Sequence, residues 1–344
     1  CCDAERISLY LHTMRRQGEQ LSVAAQALKF TSFAVGGGTP LILDEGQLEE
    51  LFCLAELFGV HPSRVFTSVE TSPEYTQKSV LRQLRARGVE RLSMGVQSFN
   101  ETELKKLKRR PGLGTVVGAL ENIVEAGFPQ FNLDLIYGIE GQTVESFMRS
   151  LNTALTYRPN ELFIYPLYVR PGTRIDVRST DDIGYAIYKS ARELLVGQGF
   201  VQTSMRRFVR RETTETEFSC GDLHYATPYA VRQQAIADEI DHYIRTTDFM
   251  TAANGFLLST EEMQIRFIIK NLMYYRGVDL AEYEKRFGEK PDRNLFREFT
   301  DRGWIEETGR IVRLTEEGMA YSDYIGQAFI SPVVRKLMSE YVYP

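Results

Sequence analysis

The sequence predicts an α/β protein, a parallel sheet closed or partly closed as a (β/α) barrel and followed by a winged-helix-like C-terminal domain. Three observations carry this expectation. Between Glu5 and Leu167 five short apolar runs alternate with amphipathic helical stretches, the pattern of strands joined by crossover helices. Glycines and carboxylates, which a buried strand tolerates poorly, fall at the carboxyl ends of those runs, where such folds place function. From Thr260 onward the pattern changes to helices followed by a short hairpin.

Each element has its own signal. Glu5 to about Leu28 has helical periodicity and leads into a strand, Phe30 to Val35, that stops at Gly36, Gly37 and Gly38, followed by Thr39 and Pro40. Consecutive glycines let backbone approach a ligand where a Cβ would obstruct it, although the same residues also make a plain tight turn. Asp44 caps a helix to Phe58, and Arg64 to Val69 is the next strand. Thr76 to Arg87 is helical and ends at Gly88; Arg91 to Gly95 is a strand. Helices follow at Thr102 to Lys108 and Thr115 to Ala126, then a strand at Phe131 to Tyr137, a helix at Val144 to Thr156 and a last strand at Glu161 to Leu167. In the tail, an amphipathic helix at Thr260 to Tyr275, VDLAEYEKRFG (278–288), a helix around Asn294 to Arg302 and GWIEETGRIVRLTEEGMAYSDYI (303–325) give helices followed by a short hairpin. The expected organisation is a barrel over residues 1–175, an accessory segment over 176–255 and the winged-helix-like domain over 256–344.

Composition narrows the function classes. The 344 residues are 43% hydrophobic and 25% charged, ordinary for a globular chain with a sizeable core. A net charge of -5 leaves no basic excess to neutralise phosphates, and the expected recognition helix, DRNLFREFTDRG, balances acids against bases. Nucleic-acid binding is therefore disfavoured. No apolar run is long enough to span a bilayer and no signal peptide is visible, which gives the expectation of a cytoplasmic protein without a membrane partner. Four cysteines do not make a disulfide framework. Cys53 falls in the apolar pattern LEELFCLAELF and is expected in the core, whereas Cys1 and Cys2, without a leading methionine, suggest a fragment or an excised segment.

Glu70 and Asp134 are carboxylates at or near the ends of buried strands and need partners, either an arginine or ligand hydroxyls. Their placement on one rim favours the ligand. Tyr137, Tyr165 and Tyr168 sit on the same rim as candidates for substrate contact or core packing.

VGGGTP (35–40), ETSPE (70–74), RLSMGVQSFN (91–100), NLDLIYGIEGQT (132–143) and YPLYVRPGT (165–173) resemble, in that order, the successive motifs of the radical S-adenosylmethionine superfamily, in the branch of oxygen-independent coproporphyrinogen III oxidase. The resemblance implies a partial (β/α)6 radical SAM barrel, a 4Fe-4S cluster and S-adenosylmethionine, with two molecules of the latter in some members. It implies that Gly36, Gly37 and Gly38, with Thr39, offer backbone to the methionine amino group. Glu70 and Asp134 would then take ribose hydroxyls or the amino-acid end, and Gln97 and Arg109 would complete the site, Arg109 by pairing with the carboxylate. An external electron donor such as a flavodoxin or ferredoxin is implied, as is a C-terminal domain that helps shape the substrate pocket.

Two departures stand out. The superfamily carries CxxxCxxC before the first helix, and here only Cys1 and Cys2 stand there as possible remnants, so either the chain is a degenerate relative or the first strand and cluster loop are missing from it. A glycine-rich loop expected between Asp222 and Leu223 is also absent, which would put Cys220 and His224 at the edges of a substrate-side loop. SMRRF (204–208) and LHYATPYAV (223–231) resemble the methyltransferase and cyclopropanase members most. The reading that follows is a radical SAM enzyme transferring one carbon, by methylation or cyclopropanation, to a small molecule. The alternatives are tetrapyrrole chemistry of the coproporphyrinogen oxidase kind, or a non-catalytic haem chaperone with an axial ligand among His12, His61, His224 and His242.

Overall fold

The computed structural model describes residues 4–110, 112–169, 180–213, 233–251 and 257–340. The chain forms two compact units. Among the described residues, 4–169 and 233–251 belong to the first, and 181–212 and 257–340 to the second.

The first unit is α/β with a parallel sheet, as the sequence predicts. Helix α1 (Ala4–Ala24) leads to β1 (Ser32–Val35), α2 (Glu45–Glu56), β2 (Phe66–Thr71), α3 (Lys78–Ala86) and β3 (Arg91–Gln97). Then come α4 (Glu101–Lys106), α5 (Leu113–Ala126), β4 (Gln130–Tyr137), α6 (Val144–Thr156) and β5 (Glu161–Pro166). Strands β1 to β5 pair in sequence order and all in parallel, five such strands among the described residues. Local chemistry fixes the helix starts: Asp44 and Gln47 close a reciprocal capping box on α2, and Thr143 and Ser146 do the same on α6. Gly127 ends α5 in the left-handed region, at φ 63°, which a side chain would strain. Strand β2 runs two residues beyond its expected end, so Glu70 lies within the strand rather than after it.

The two faces of this sheet differ in kind. A parallel strand covered on both sides reads as continuously apolar. Here alternate residues of one face, Val69, Leu92, Met94, Leu133, Leu135, Leu162 and Ile164, are all but fully buried, as are Leu81, Leu84, Leu120 and Phe147 of the helices. The opposite face is polar. Because side chains alternate along a strand, the register puts Ser68, Arg91 and Gln130 in one row, Glu70, Ser93, Asn132 and Glu161 in the next, and Gly95, Asp134 and Phe163 above that. A concave face lined this way is a place for a ligand, not a hydrophobic core.

The chain enters the second unit with α7 (Asp181–Gly197), β6 (Phe200–Gln202) and β7 (Arg207–Arg210), then supplies α8 (Gln233–Arg245) to the first. The SMRRF stretch forms the turn and start of this β6–β7 antiparallel hairpin. Helix α8 packs on α1 through the Arg6–Asp241 ion pair (2.6 Å) and the Tyr10 and Tyr243 rings. In the second unit α9 (Thr260–Leu272), β8 (Val278–Asp279), α10 (Leu280–Phe287), α11 (Asn294–Asp301), β9 (Ile305–Thr308) and β10 (Ile311–Leu314) give the expected helices and hairpin, with sheet order β8-β10-β9. Helices α12 (Glu316–Ala320), α13 (Ser322–Ala328) and α14 (Pro332–Glu340) close it. Phe267, Ile268, Leu272, Phe296, Phe299 and Ile325 belong to a core of its own.

Cys53, expected in the core, is only partly buried on α2. Position 53 flanks the helix stripe of Leu48, Phe52 and Ala55, which takes the buried contacts instead. Among the described residues no helix is long and apolar enough to cross a membrane.

Candidate functional site

The three glycines after β1 have three different reasons to be there. At Gly36 a Cβ would stand 2.8 Å from the carboxyl carbon of Glu70, so only a bare backbone lets the two strands' contents approach. Gly37 takes φ +97°, a conformation that disfavours any L side chain, and its N–H donates to Glu70 Oε2 at 3.3 Å. Gly38 meets neither limit: a Cβ there would face open space. The carboxylate of Glu70 is exposed on the concave face, an acceptor held against glycine backbone.

Asp134 stands one row further along. Its Oδ1 accepts from Asn132 Nδ2 at 2.7 Å, and the same Nδ2 donates to Ser93 Oγ at 2.7 Å. Desolvation pushes the Asp134 carboxyl up to about 6; the Asn132 hydrogen bond and the charge of Arg91 oppose the rise, while the charges of Glu70 and Glu161 add to it. Arg91 is itself committed, with Nη2 donating to Glu161 Oε2 at 3.0 Å and Nη1 to Ser68 Oγ at 2.9 Å, all buried. Thus the Arg91–Glu161 ion pair spans the first two rows of the polar face, Glu70 stands in the second and Asp134 in the third, and the charge of Glu70 adds to the rise at Asp134.

Gln97 ends β3 with φ +71°, one of the few positive values outside glycine among the described residues. The register slips between Gly95 and Gln97, and the Gln97 amide folds back into the space that a Cβ on Gly95 would need. Such strain concentrates where a side chain is held for a purpose. The turn after it is locked from beneath: buried Glu103 accepts from Ser98 Oγ (2.5 Å), Ser146 Oγ (2.7 Å) and Gln142 Nε2 (3.0 Å). Gln142 Oε1 in turn accepts from the N–H of Gly138 at 2.8 Å, which ties together the loops after β3 and β4.

Arg109 is exposed, but not remote. A cleft of about 250 Å³ is lined by Thr39, Ser72, Glu74, Gly95, Arg109 and Arg110, among others, so Arg109 shares its wall with Thr39 and with the glycine beneath Gln97. The structure therefore brings Gly36, Gly37, Glu70, Gly95, Gln97 and Asp134 to one concave face and sets Thr39 and Arg109 at its margin. The three tyrosines divide. Tyr137 is buried and packs edge-on against Phe147 (6.2 Å between centroids), Tyr165 stacks on Phe163 (5.6 Å), and Tyr168 is exposed. Cys1, Cys2, Cys220 and His224 lie outside the described residues. Among the described residues no group of three or more His, Cys, Asp or Glu could hold a metal.

Sequence reasoning missed Asn132, Ser93, Arg91 and Glu161. For the first three the signal was present as period-two polarity, in S-V-E (68–70), R-L-S-M-G (91–95) and Q-F-N-L-D (130–134), whose polar positions share a face.

Residues 2–154 match the family model described as the radical SAM superfamily, and residues 258–321 match the HemN C-terminal domain. The chain is similar to the haem chaperone HemW of Bacillus subtilis (strain 168), 26% identical over 326 residues that cover 86% of this chain and 84% of that protein. It is also similar to the oxygen-independent coproporphyrinogen III oxidase of Escherichia coli (strain K12), 35% identical over 130 residues, 38% of this chain and 28% of that protein. The solved structure of coproporphyrinogen III oxidase (HemN) from Escherichia coli has the same fold, with a TM-score of 0.76 at 20% identity over 95% of this chain and 84% of that one. These likenesses overturn the methyltransferase and cyclopropanase reading. SMRRF and LHYATPYAV are short stretches that carried too much weight, whereas the likeness to a haem chaperone runs through most of the chain. The ordered motifs, the polar face and the matched models agree: residues 2–154 carry the radical S-adenosylmethionine superfamily's model and residues 258–321 that of the HemN C-terminal domain, and that superfamily's cofactors are a 4Fe-4S cluster and S-adenosylmethionine.

Proposed function

We propose that this chain is a radical SAM enzyme whose substrate is a tetrapyrrole. The observation that carries the reading is the combination of an acceptor face, Glu70 and Asp134 beside the Arg91–Glu161 pair, with relatives that handle tetrapyrroles. The residues fit S-adenosylmethionine on structural grounds. Gly36 leaves room that a Cβ would fill, and two carboxylates together with the unpartnered, buried Oδ1 of Asn132 call for a ligand rich in O–H and N–H donors. For the iron–sulfur cluster the described residues supply no ligand set, Cys53 being the one cysteine among them, and Cys1 and Cys2 remain candidates outside them.

When bound, the two cofactors supply one-electron hydrogen abstraction. The chain's own residues bind and orient: Gly37 N–H fixes the Glu70 carboxylate, Asp134 and Glu70 receive hydroxyl or ammonium donors, and Gln97, held in a strained conformation, presents its amide over Gly95. Arg109, at the margin of the cleft, offers a cation to a carboxylate. A flavodoxin or ferredoxin would bring the electron.

A second reading, a haem carrier, is favoured by the chain-length likeness to HemW. The test separates the two. The protein is assembled with iron and sulfide without oxygen, then given S-adenosylmethionine and reductant with a porphyrinogen in one sample and with haem in another. 5'-Deoxyadenosine formed in step with loss of the porphyrinogen is the expected result. A shifted haem absorption band with no 5'-deoxyadenosine would establish the carrier instead, and neither signal would defeat both.

A further inference from the structure

Asn132 is 1% exposed and sits in the middle of the concave face, between Ser93 on β3 and Glu161 on β5. Both of its amide protons are spent, one on Ser93 Oγ and one on Asp134 Oδ1, each at 2.7 Å. Its Oδ1 is buried and has no hydrogen-bond partner. Turning the amide over does not relieve this, because it would set Oδ1 against the Asp134 carboxylate, acceptor to acceptor. A buried carbonyl oxygen without a donor is unfavourable, and native structures rarely keep one unless something else supplies the donor.

We propose that Asn132 is a further positioning residue of the nucleoside site: its Nδ2 holds the Asp134 carboxylate in place and ionised, and its Oδ1 receives a hydroxyl or ammonium donor from the same ligand. The inference rests on this face holding S-adenosylmethionine and is independent of the tetrapyrrole reading. The charged groups that face Asp134 are Glu70 from β2, Arg91 from β3 and Glu161 from β5. Arg91 is bonded to Glu161 and Ser68, so Asn132 is the neighbour that donates directly to Asp134. Without that donor, desolvation and two like charges act on Asp134 with only Arg91 opposing them, and the carboxyl keeps its proton to higher pH.

The test is calorimetric titration of the full chain with S-adenosylhomocysteine, which cannot be reductively cleaved in the same way, across about pH 5.5 to 8.5. Wild-type affinity should fall as the pH drops through about 6. Asn132→Leu should move that midpoint upward and weaken binding about tenfold or more at neutral pH, the loss of one hydrogen bond to a charged group. Asp134→Asn should bind with no such midpoint. Asn132→Ser, whose hydroxyl is too short to reach Asp134, serves if the leucine variant does not fold, and should shift the midpoint in the same direction. Uniform weakening with an unmoved midpoint would make Asn132 merely structural and overturn the proposal. So would wild-type affinity in the variants. Failure of the wild type to bind would overturn it together with the assignment of the cofactor face.

Discussion

The glycine triplet allows a substitution that separates the fold from the site. In Gly36→Ala the new methyl group would lie 2.8 Å from Glu70 Cδ and 2.9 Å from both carboxylate oxygens, closer than real Cβ contacts allow. What must move is the tip of a flexible, exposed side chain, so the carboxylate swings away while the backbone stays. The stability cost is then small, at most about 1 kcal/mol for one exposed hydrogen bond to the Gly37 N–H. The ligand loses more: an acceptor carboxylate withdrawn from a hydroxyl or ammonium donor is worth about 1.5–3 kcal/mol, about ten- to hundredfold in affinity. Gly37→Ala and Gly38→Ala complete the series. The first forces a side chain to φ +97° and should cost about 1 kcal/mol or more of stability; the second has open space and should cost none. Thermal denaturation and S-adenosylhomocysteine titration of the three variants read the two effects separately. The reasoning fails if Gly36→Ala binds as wild type does, or if it loses more stability than Gly37→Ala.

Three further outcomes follow from the packing. Arg91→Met takes the Arg91 guanidinium from the 1% exposed Glu161 carboxylate and the hydroxyl of Ser68, and should cost about 1.5–3 kcal/mol in chemical denaturation, the loss of a hydrogen bond to a buried charged group. Gly318→Ala drives a methyl group into the backbone carbonyl of Trp304, which cannot swing aside, and should destabilise the second unit by about 1–3 kcal/mol in thermal melts. Asp134→Asn should stabilise the protein at neutral pH. A carboxyl whose folded value is raised from 3.8 to about 6 opposes folding fully above the folded value and not at all below the unfolded one. The gain, about 2–3 kcal/mol at pH 7, should therefore vanish near about pH 4, and a gain that persists there would contradict the assigned cause.

The fold was legible because its signals are local. Alternating apolar runs and helices, the Asp44 cap and the glycine that ends α5 are each decided within a few residues, and the structure keeps them. The site was legible only where a residue type is costly in any strand: glycine triplets, Glu70 and Asp134 announce themselves. Asn132, Ser93 and Arg91 did not, because amides, hydroxyls and arginines are common on exposed strand faces. What makes them informative is that five strands in parallel register turn those faces inward together. The methyl-transfer reading failed for a related reason. The likenesses of SMRRF and LHYATPYAV are short, and LHYATPYAV falls outside the described residues.

The costs in the first unit are not spread evenly, and their distribution argues for a working site. Asp134 is held ionisable against desolvation and two like charges, Gln97 occupies a left-handed conformation that most residues avoid, and the buried Asn132 carbonyl goes without a donor. All three lie on the polar face of β3 and β4: Asp134 is two residues from Asn132 along β4 and pairs across with Gly95, two residues before Gln97. The opposite face, by contrast, is apolar and closely buried from Val69 to Ile164. A sheet selected for stability alone would have put valines and leucines on both faces, as parallel sheets commonly do. The desolvated Asp134 carboxyl and the Asn132 carbonyl have the same remedy, a ligand that brings hydroxyl and ammonium donors to the acceptors. Binding such a ligand should therefore raise the thermal midpoint of the wild type, and raise it less for Asp134→Asn, whose neutral amide oxygen is a weaker acceptor for those donors than a carboxylate.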